Sequence, residues 1–222
     1  MGNPKLEGSG IIEAIPQTGE CPIGCDECFY NGKRFYRSLD TPLLPSLQEA
    51  QGNIVRVNSG HDSNVQRGLV IKSTEQYLDK FYNTSIANFD FPGPVVFTAN
   101  GRKPILAKRG LDNLMFVRAR TSPMNLSDVD RIVEHYQERN EIPVVLTFMR
   151  YYDKGVIPVE FQDRFMHRKH ILNEYWCINQ DAQDEILQRY GGKVLMCGTK
   201  SSSLCKDCGN CKSLYMKHQK KS

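Results

Sequence analysis

Three cysteines stand close together near the N-terminus, in the run Glu20-Cys21-Pro22-Ile23-Gly24-Cys25-Asp26-Glu27-Cys28-Phe29-Tyr30. The spacing Cys-x3-Cys-x2-Cys supplies three thiolates from one loop. Four thiolates would close a tetrahedral zinc site or fully ligate an iron-sulfur cluster, whereas three hold a cubane by three irons and leave the fourth open to another ligand. An open iron is a place for chemistry. Pro22 and Gly24 suit the tight loop that three converging thiolates require, because proline pre-sets φ and glycine takes positive φ cheaply. A zinc loop completed by a distant ligand, or three buried free thiols, would use the same residues.

A second group lies in the tail, where Cys205-x2-Cys208-x2-Cys211 follows Cys197. This resembles the triple spacing of bacterial ferredoxins more than the two separated Cys-x2-Cys knuckles of structural zinc sites. The expectation is a second, auxiliary 4Fe-4S cluster, with zinc as the alternative. Cys177 is the one thiol outside both groups. It reads either as a hydrogen-atom donor to a substrate radical or as a core cysteine beside Trp176, the single tryptophan.

The first loop follows an apolar run, Gly10-Ile11-Ile12-Glu13-Ala14-Ile15, and strand followed by Cys21-x3-Cys25-x2-Cys28 resembles the signature of the radical S-adenosylmethionine (SAM) superfamily. Glu27 stands where family members usually carry an aromatic residue. The resemblance implies a 4Fe-4S cluster on Cys21, Cys25 and Cys28 whose open iron chelates SAM. It implies reductive cleavage of SAM to a 5′-deoxyadenosyl radical that abstracts hydrogen from a substrate, with an electron donor such as flavodoxin or ferredoxin. It also assigns candidate SAM contacts. Asn58-Ser59-Gly60-His61-Asp62 occupies the place of the acidic, glycine-bearing loop after the second strand. Arg120 and Ser122 end the fourth strand and Arg150 the fifth, where a guanidinium can fork onto the methionine carboxylate. Phe29 and Tyr30 would flank the adenine.

The elements that must position these residues alternate. Strands are expected at the Ile11 run, Asn53 to Asn58, Pro94 to Ala99, Leu114 to Arg120, Pro143 to Phe148 and Lys193 to Met196. The near-continuous apolar runs fit parallel strands covered on both faces. Helices are expected from Ser73 toward Phe89, from Ser127 to Asn140, around Phe165 to Tyr175 and from Asp181 to Gly191. His167 and His170, three apart in the third of these, read as solvent-facing. Six strands with right-handed crossovers give an α/β fold, a partial (β/α)6 barrel. That architecture is also what the resemblance implies. The division is a barrel over 1–196 and a cysteine-rich segment with a basic tail over 197–222.

The 222 residues suffice for one core, and a net charge of +4 spread along the chain does not by itself argue for nucleic acid. No run approaches the ~18 apolar residues of a membrane span, and the N-terminus lacks the apolar core of a signal peptide. A cytoplasmic protein with metal-bound rather than disulfide-bonded cysteines is the expectation. Peptide, nucleoside and small metabolite remain open as substrate, since specificity would sit in 31–50 and 149–179. The contrasting reading is a non-catalytic zinc or iron-sulfur module that binds nucleic acid or a protein partner.

Overall fold

A computed structural model of the chain describes residues 3–25, 39–99, 104–170 and 173–221. Seven strands form one wholly parallel sheet: β1 (Ile11–Ala14), β2 (Ile54–Val57), β3 (Lys80–Thr84), β4 (Val95–Thr98), β5 (Leu114–Thr121), β6 (Val144–Phe148) and β10 (Leu195–Met196), paired in that order. The sheet curls into a half barrel. Between β6 and β10 the chain makes a second sheet, antiparallel, in the order β7 (Arg150–Tyr151), β9 (Asn173–Ile178), β8 (Phe165–His170).

Successive side chains of a strand point to opposite faces, so each strand serves two environments. On the convex side Val55, Tyr82, Phe97, Val117 and Leu146 are buried in a cluster with Val70, Val129, Ile132 and Ile186. Those four come from the helices α2 (Arg67–Thr74), α3 (Leu126–Ile132) and α4 (Gln180–Arg189). A short helix, α1 (Leu47–Ala50), opens on a capping box in which Ser46 and Glu49 satisfy each other's backbone N–H. On the concave side Ile11, Ile54, Phe81, Val96, Phe116 and Val145 form an apolar floor. A register shift between Val95 and Val96 opposes Val96 to Phe116, so Phe116 rather than Met115 falls in line with that floor.

The floor is covered by the tail. Leu214 and Tyr215 of α6 (Asn210–Gln219), the helix that follows α5 (Cys205–Cys208), belong to the same buried cluster as the floor. Tyr215 also donates its hydroxyl to Asp79 at 3.2 Å, which fixes α6 to the start of β3. Each large side chain removed from water in this way contributes roughly 1.5–3 kcal/mol. The basic end of the chain is therefore helical through Gln219, with His218 against the Asp112 carbonyl at 3.3 Å.

Two expectations are corrected. The helix expected from Ser73 toward Phe89 is instead the end of α2 followed by β3, whose five residues are all buried. The helix expected around Phe165 to Tyr175 is the β8–β9 pair, so residues 167 and 170 do not share a helix face. None of the helices among the described residues is long and apolar enough to cross a membrane.

Candidate functional site

Two residues beyond each floor residue, the concave face turns polar. Glu13, Arg56, Asn83, Thr98, Arg118 and Thr147 each follow a floor residue at i+2 and form a second tier toward the C-terminal ends of the strands. Glu13 pairs in register with Arg56. Burial pushes the Glu13 carboxyl up, and the Arg56 guanidinium opposes that rise. Glu13 Oε1, Asn83 Oδ1 and Thr147 Oγ1 are buried without a hydrogen-bond partner. Native structures rarely leave such atoms unpaired, so water, an ion or a polar ligand would complete their hydrogen bonds.

The loop after β2 continues that pattern. Asn58 takes a left-handed φ of 61° and is 1 % exposed, an uncommon conformation for a non-glycine residue that bends the chain over the strand end. Its Nδ2 donates to Ser63 Oγ at 3.2 Å, while its Oδ1 has no partner. Ser59 Oγ is buried and equally unpartnered, Gly60 is buried beside it, and half-buried His61 lies against the Glu20 backbone. Burial holds the His61 imidazolium below its usual pKa, against the opposing charge of Asp62. Asp62 is spoken for within the protein. Its carboxylate accepts from Ser85 N at 2.6 Å, Ser85 Oγ at 2.9 Å, Thr84 Oγ1 at 2.8 Å and Asn64 N at 2.9 Å.

Ser85 also meets the first cysteine loop, its Oγ lying 3.6 Å from Cys25 Sγ. Cys25 thus lies beside the loop after β3, on the rim that holds the unpartnered atoms, and Cys21 is likewise half-buried. Gln17 anchors this loop by donating to the carbonyls of Asp62 at 3.0 Å and Val65 at 2.8 Å. Cys28, Phe29 and Tyr30 lie outside the described residues.

The tail cysteines are brought together. Cys197, Cys205, Cys208 and Cys211 line one pocket on the concave face, with Ile11, Phe116 and Val145 as its apolar wall and Arg118 and Lys212 at its edge. Cys197 follows β10 and its N–H pairs with the Leu146 carbonyl. Cys205 and Cys208 sit one turn apart on α5, and Gly209, at φ 66°, breaks the helix so that Cys211 starts α6 on the same side. Gly198 donates its N–H to Cys208 Sγ at 3.3 Å. Burial pushes the Cys211 thiol up to about 11, while Arg56 and Arg118 pull it back. Burial also raises Cys205, opposed first by Arg56. Among the described residues no group of three or more His, Cys, Asp or Glu converges on the position of a single metal ion.

The remaining candidates fall around the mouth. Ser122 is 1 % exposed and its hydroxyl is engaged in the turn after β5, accepting from Met124 N at 3.2 Å and lying 3.4 Å from Asn125 Oδ1. Arg120 follows Arg118 at i+2 on the concave face of β5. Arg150 opens β7 one residue after β6 ends and is the cross-strand partner of Cys177. Lys5 lies among Arg150, Arg56, Cys197 and Cys205, and burial first, then the Arg150 charge, press its pKa down. Sequence reasoning missed Lys5, Glu13, Arg56, Asn83, Arg118 and Thr147. The alternation within each strand was the signal: Glu13 inside Ile-Ile-Glu-Ala and Arg56 inside Ile-Val-Arg-Val are charges in otherwise apolar strands.

Comparisons with protein-family models, with curated proteins and with solved structures find no match.

Proposed function

We propose that this chain is a radical SAM enzyme, with a catalytic 4Fe-4S cluster on Cys21, Cys25 and Cys28 and an auxiliary cluster on Cys197, Cys205, Cys208 and Cys211. The supporting observation is the rim. Cys25 of the first loop meets Ser85 after β3, on the rim where Asn58 Oδ1, Ser59 Oγ and Asn83 Oδ1 are buried with no hydrogen-bond partner in the protein. Unpartnered acceptors suit an ammonium donor such as the amino group of SAM, and the Arg120 guanidinium on the concave face suits its carboxylate. Asp62 holds the β2 and β3 loops under that group rather than touching it.

When bound, cluster and SAM together supply one-electron cleavage and a 5′-deoxyadenosyl radical that takes hydrogen from a substrate. The chain's own residues bind and orient SAM at the rim, exclude water through the apolar floor and the α6 cover, and hold the substrate over the polar tier. At the tail site the fit is to four thiolates. Arg56, Arg118 and Lys5 offset their charge, and the Gly198 N–H donates to one sulfur. Four thiolates can hold either a zinc ion or a four-iron cluster, and the ratio of iron to zinc in the purified protein distinguishes the two.

The test is anaerobic purification, reconstitution and reduction, then assay for 5′-deoxyadenosine with SAM. Slow product from the wild type and none from the Cys21→Ala/Cys25→Ala/Cys28→Ala variant is the expected result. No product, with zinc and no iron in the protein, would leave a metal-stabilised binding module instead.

A further inference from the structure

The antiparallel sheet β7–β9–β8 stands at the mouth of the half barrel, because β7 begins one residue after β6 ends. Its register sorts its side chains. Arg150, Cys177 and Met166 are direct cross-strand partners, and Arg168 pairs with Tyr175 two residues along, so these five share one face. On the opposite face Tyr151, Phe165 and Ile178 are buried in a small core of their own. Trp176 continues that opposite face, with the His167 ring at 4.9 Å and Lys154 Nζ 5.0 Å from its centroid.

The first face is unlike an ordinary solvated strand pair. The Arg150 guanidinium lies 4.9 Å from the Tyr175 ring centroid, Arg168 is exposed beside that ring, and Met166 is 40 % exposed. No acidic residue shares the face among the described positions. Arg150 continues into the mouth through its neighbour Lys5, beyond which Arg56, Arg118 and Arg120 occupy the concave side. Glu13 is the single acid of the second tier. An aromatic ring under one guanidinium, with a second exposed guanidinium on its cross-strand neighbour and a cationic cleft beyond, matches how unpaired bases and their phosphates are held together.

We propose that the face formed by Arg150, Met166, Arg168, Tyr175 and Cys177 docks single-stranded nucleic acid, with an unstacked base on the Tyr175–Arg150 pair and the phosphates running past Arg168 toward the cleft. As a surface it stands without the radical chemistry; as an identification of the substrate class it rests on that reading. A duplex keeps its bases stacked and offers none to Tyr175, so the preference is for single strands.

Fluorescence anisotropy of a labelled oligothymidylate of about 15 nucleotides, titrated with the full-length purified chain without SAM, tests the docking. Arg168 and Lys169 are adjacent exposed cations on opposite faces, so Arg168→Ala and Lys169→Ala remove the same charge from different surfaces. Expected are a roughly fivefold or greater loss for Arg168→Ala and for Tyr175→Ser, a change within about twofold for Lys169→Ala, and a salt slope lower by about one for Arg168→Ala. Equal losses from Arg168→Ala and Lys169→Ala, binding of a same-length duplex as tight as the single strand, or displacement by polyglutamate at equal charge would each overturn the proposal. Docking with no 5′-deoxyadenosine formation from SAM would overturn the enzymatic reading while leaving the surface in place. Formation of 5′-deoxyadenosine without docking would do the reverse.

Discussion

Asp62 accepts both the backbone N–H and the hydroxyl of Ser85, at 2.6 and 2.9 Å, and so ties the loop after β2 to the loop after β3 beneath Cys25. Thr84 and Asn64 complete the set of donors, and the carboxylate is 4 % exposed. Asp62→Ala leaves four donors without their acceptor, at a cost of about 3 kcal/mol. Asp62→Asn keeps the shape but loses charge and acceptor capacity, and costs less. Chemical denaturation should rank the variants in that order, and under the proposed cluster assignment the iron retained at the first loop should fall in parallel. An unchanged midpoint for Asp62→Ala would mean the two loops are held by something else.

At the tail the arrangement depends on a glycine. Gly198 takes φ 89°, and a Cβ there would stand 2.9 Å from the Ser202 carbonyl oxygen. Gly198→Ala therefore has to shift the backbone whose N–H donates to Cys208 Sγ. Metal content should drop at the tail site alone, while far-ultraviolet circular dichroism and the first site stay close to wild type. Cysteine alkylation gives the complementary reading: in chelated protein exposed Cys197 reacts first, and metal loading slows all four. Full metal retention in Gly198→Ala would separate that amide from the site.

The parallel strands were legible because their apolar runs are short, continuous and β-branched, as in Val95-Val96-Phe97 and Val144-Val145-Leu146. Lys80-Phe81-Tyr82-Asn83-Thr84 escaped because its polar members are buried for specific reasons: Lys80 Nζ donates to the Tyr77 carbonyl at 2.6 Å and Asn83 Nδ2 to the Val57 carbonyl at 2.9 Å. The Val57 partner lies in the fold, 26 residues away, and the Tyr77 contact depends on how the chain enters the strand, so neither shows in the strand's own alternation. Met166-His167-Arg168-Lys169 hid a strand for a similar reason, since its exposed side chains carry no alternating contrast and only its partner Tyr175-Trp176-Cys177-Ile178 has β-forming residues. The cysteine spacing marked out both groups of thiols, and the fold gathers Cys197, Cys205, Cys208 and Cys211 around one pocket. What the spacing could not announce was the polar tier between them, which exists only where six strands bring their i+2 positions to one face.

Tyr136 carries a buried hinge between α3's extension and the segment after β4. The chain widens into a π-helical turn over Val133–Glu138, and the phenol there donates to the Ile105 carbonyl and accepts from the Ala107 N–H, both at 2.8 Å. Burial pushes the phenol up to about 12, so it remains a donor throughout the neutral range. Tyr136→Phe leaves the buried Ala107 N–H unpaired and the partly buried Ile105 carbonyl without its donor, a loss of about 2 kcal/mol. Hydrogen exchange should speed at Ala107 well before the β-sheet amides change. Uniform acceleration across the sheet would instead mark Tyr136 as part of the global core.

Asp130 on α3 receives a fork from Arg189 at the end of α4, Nε at 2.9 Å and an Nη at 2.5 Å, and the Tyr190 hydroxyl at 3.0 Å. The Arg189 hydrogen bonds come first among the causes that hold the Asp130 carboxyl below its usual 3.8. A carboxyl depressed in the folded state stabilises above its unfolded pKa and stops doing so as pH falls through the folded value. The carboxylate is partly solvent-exposed and screened, so the contribution is about 0.5–1 kcal/mol. Wild type should therefore exceed Asp130→Asn by that amount at neutral pH, with the gap closing below pH 4. Denaturant midpoints measured from pH 7 to pH 2.5 provide the check. Parallel curves over that range would show that the fork does not titrate with folding, leaving α3 and α4 joined by their apolar contacts alone.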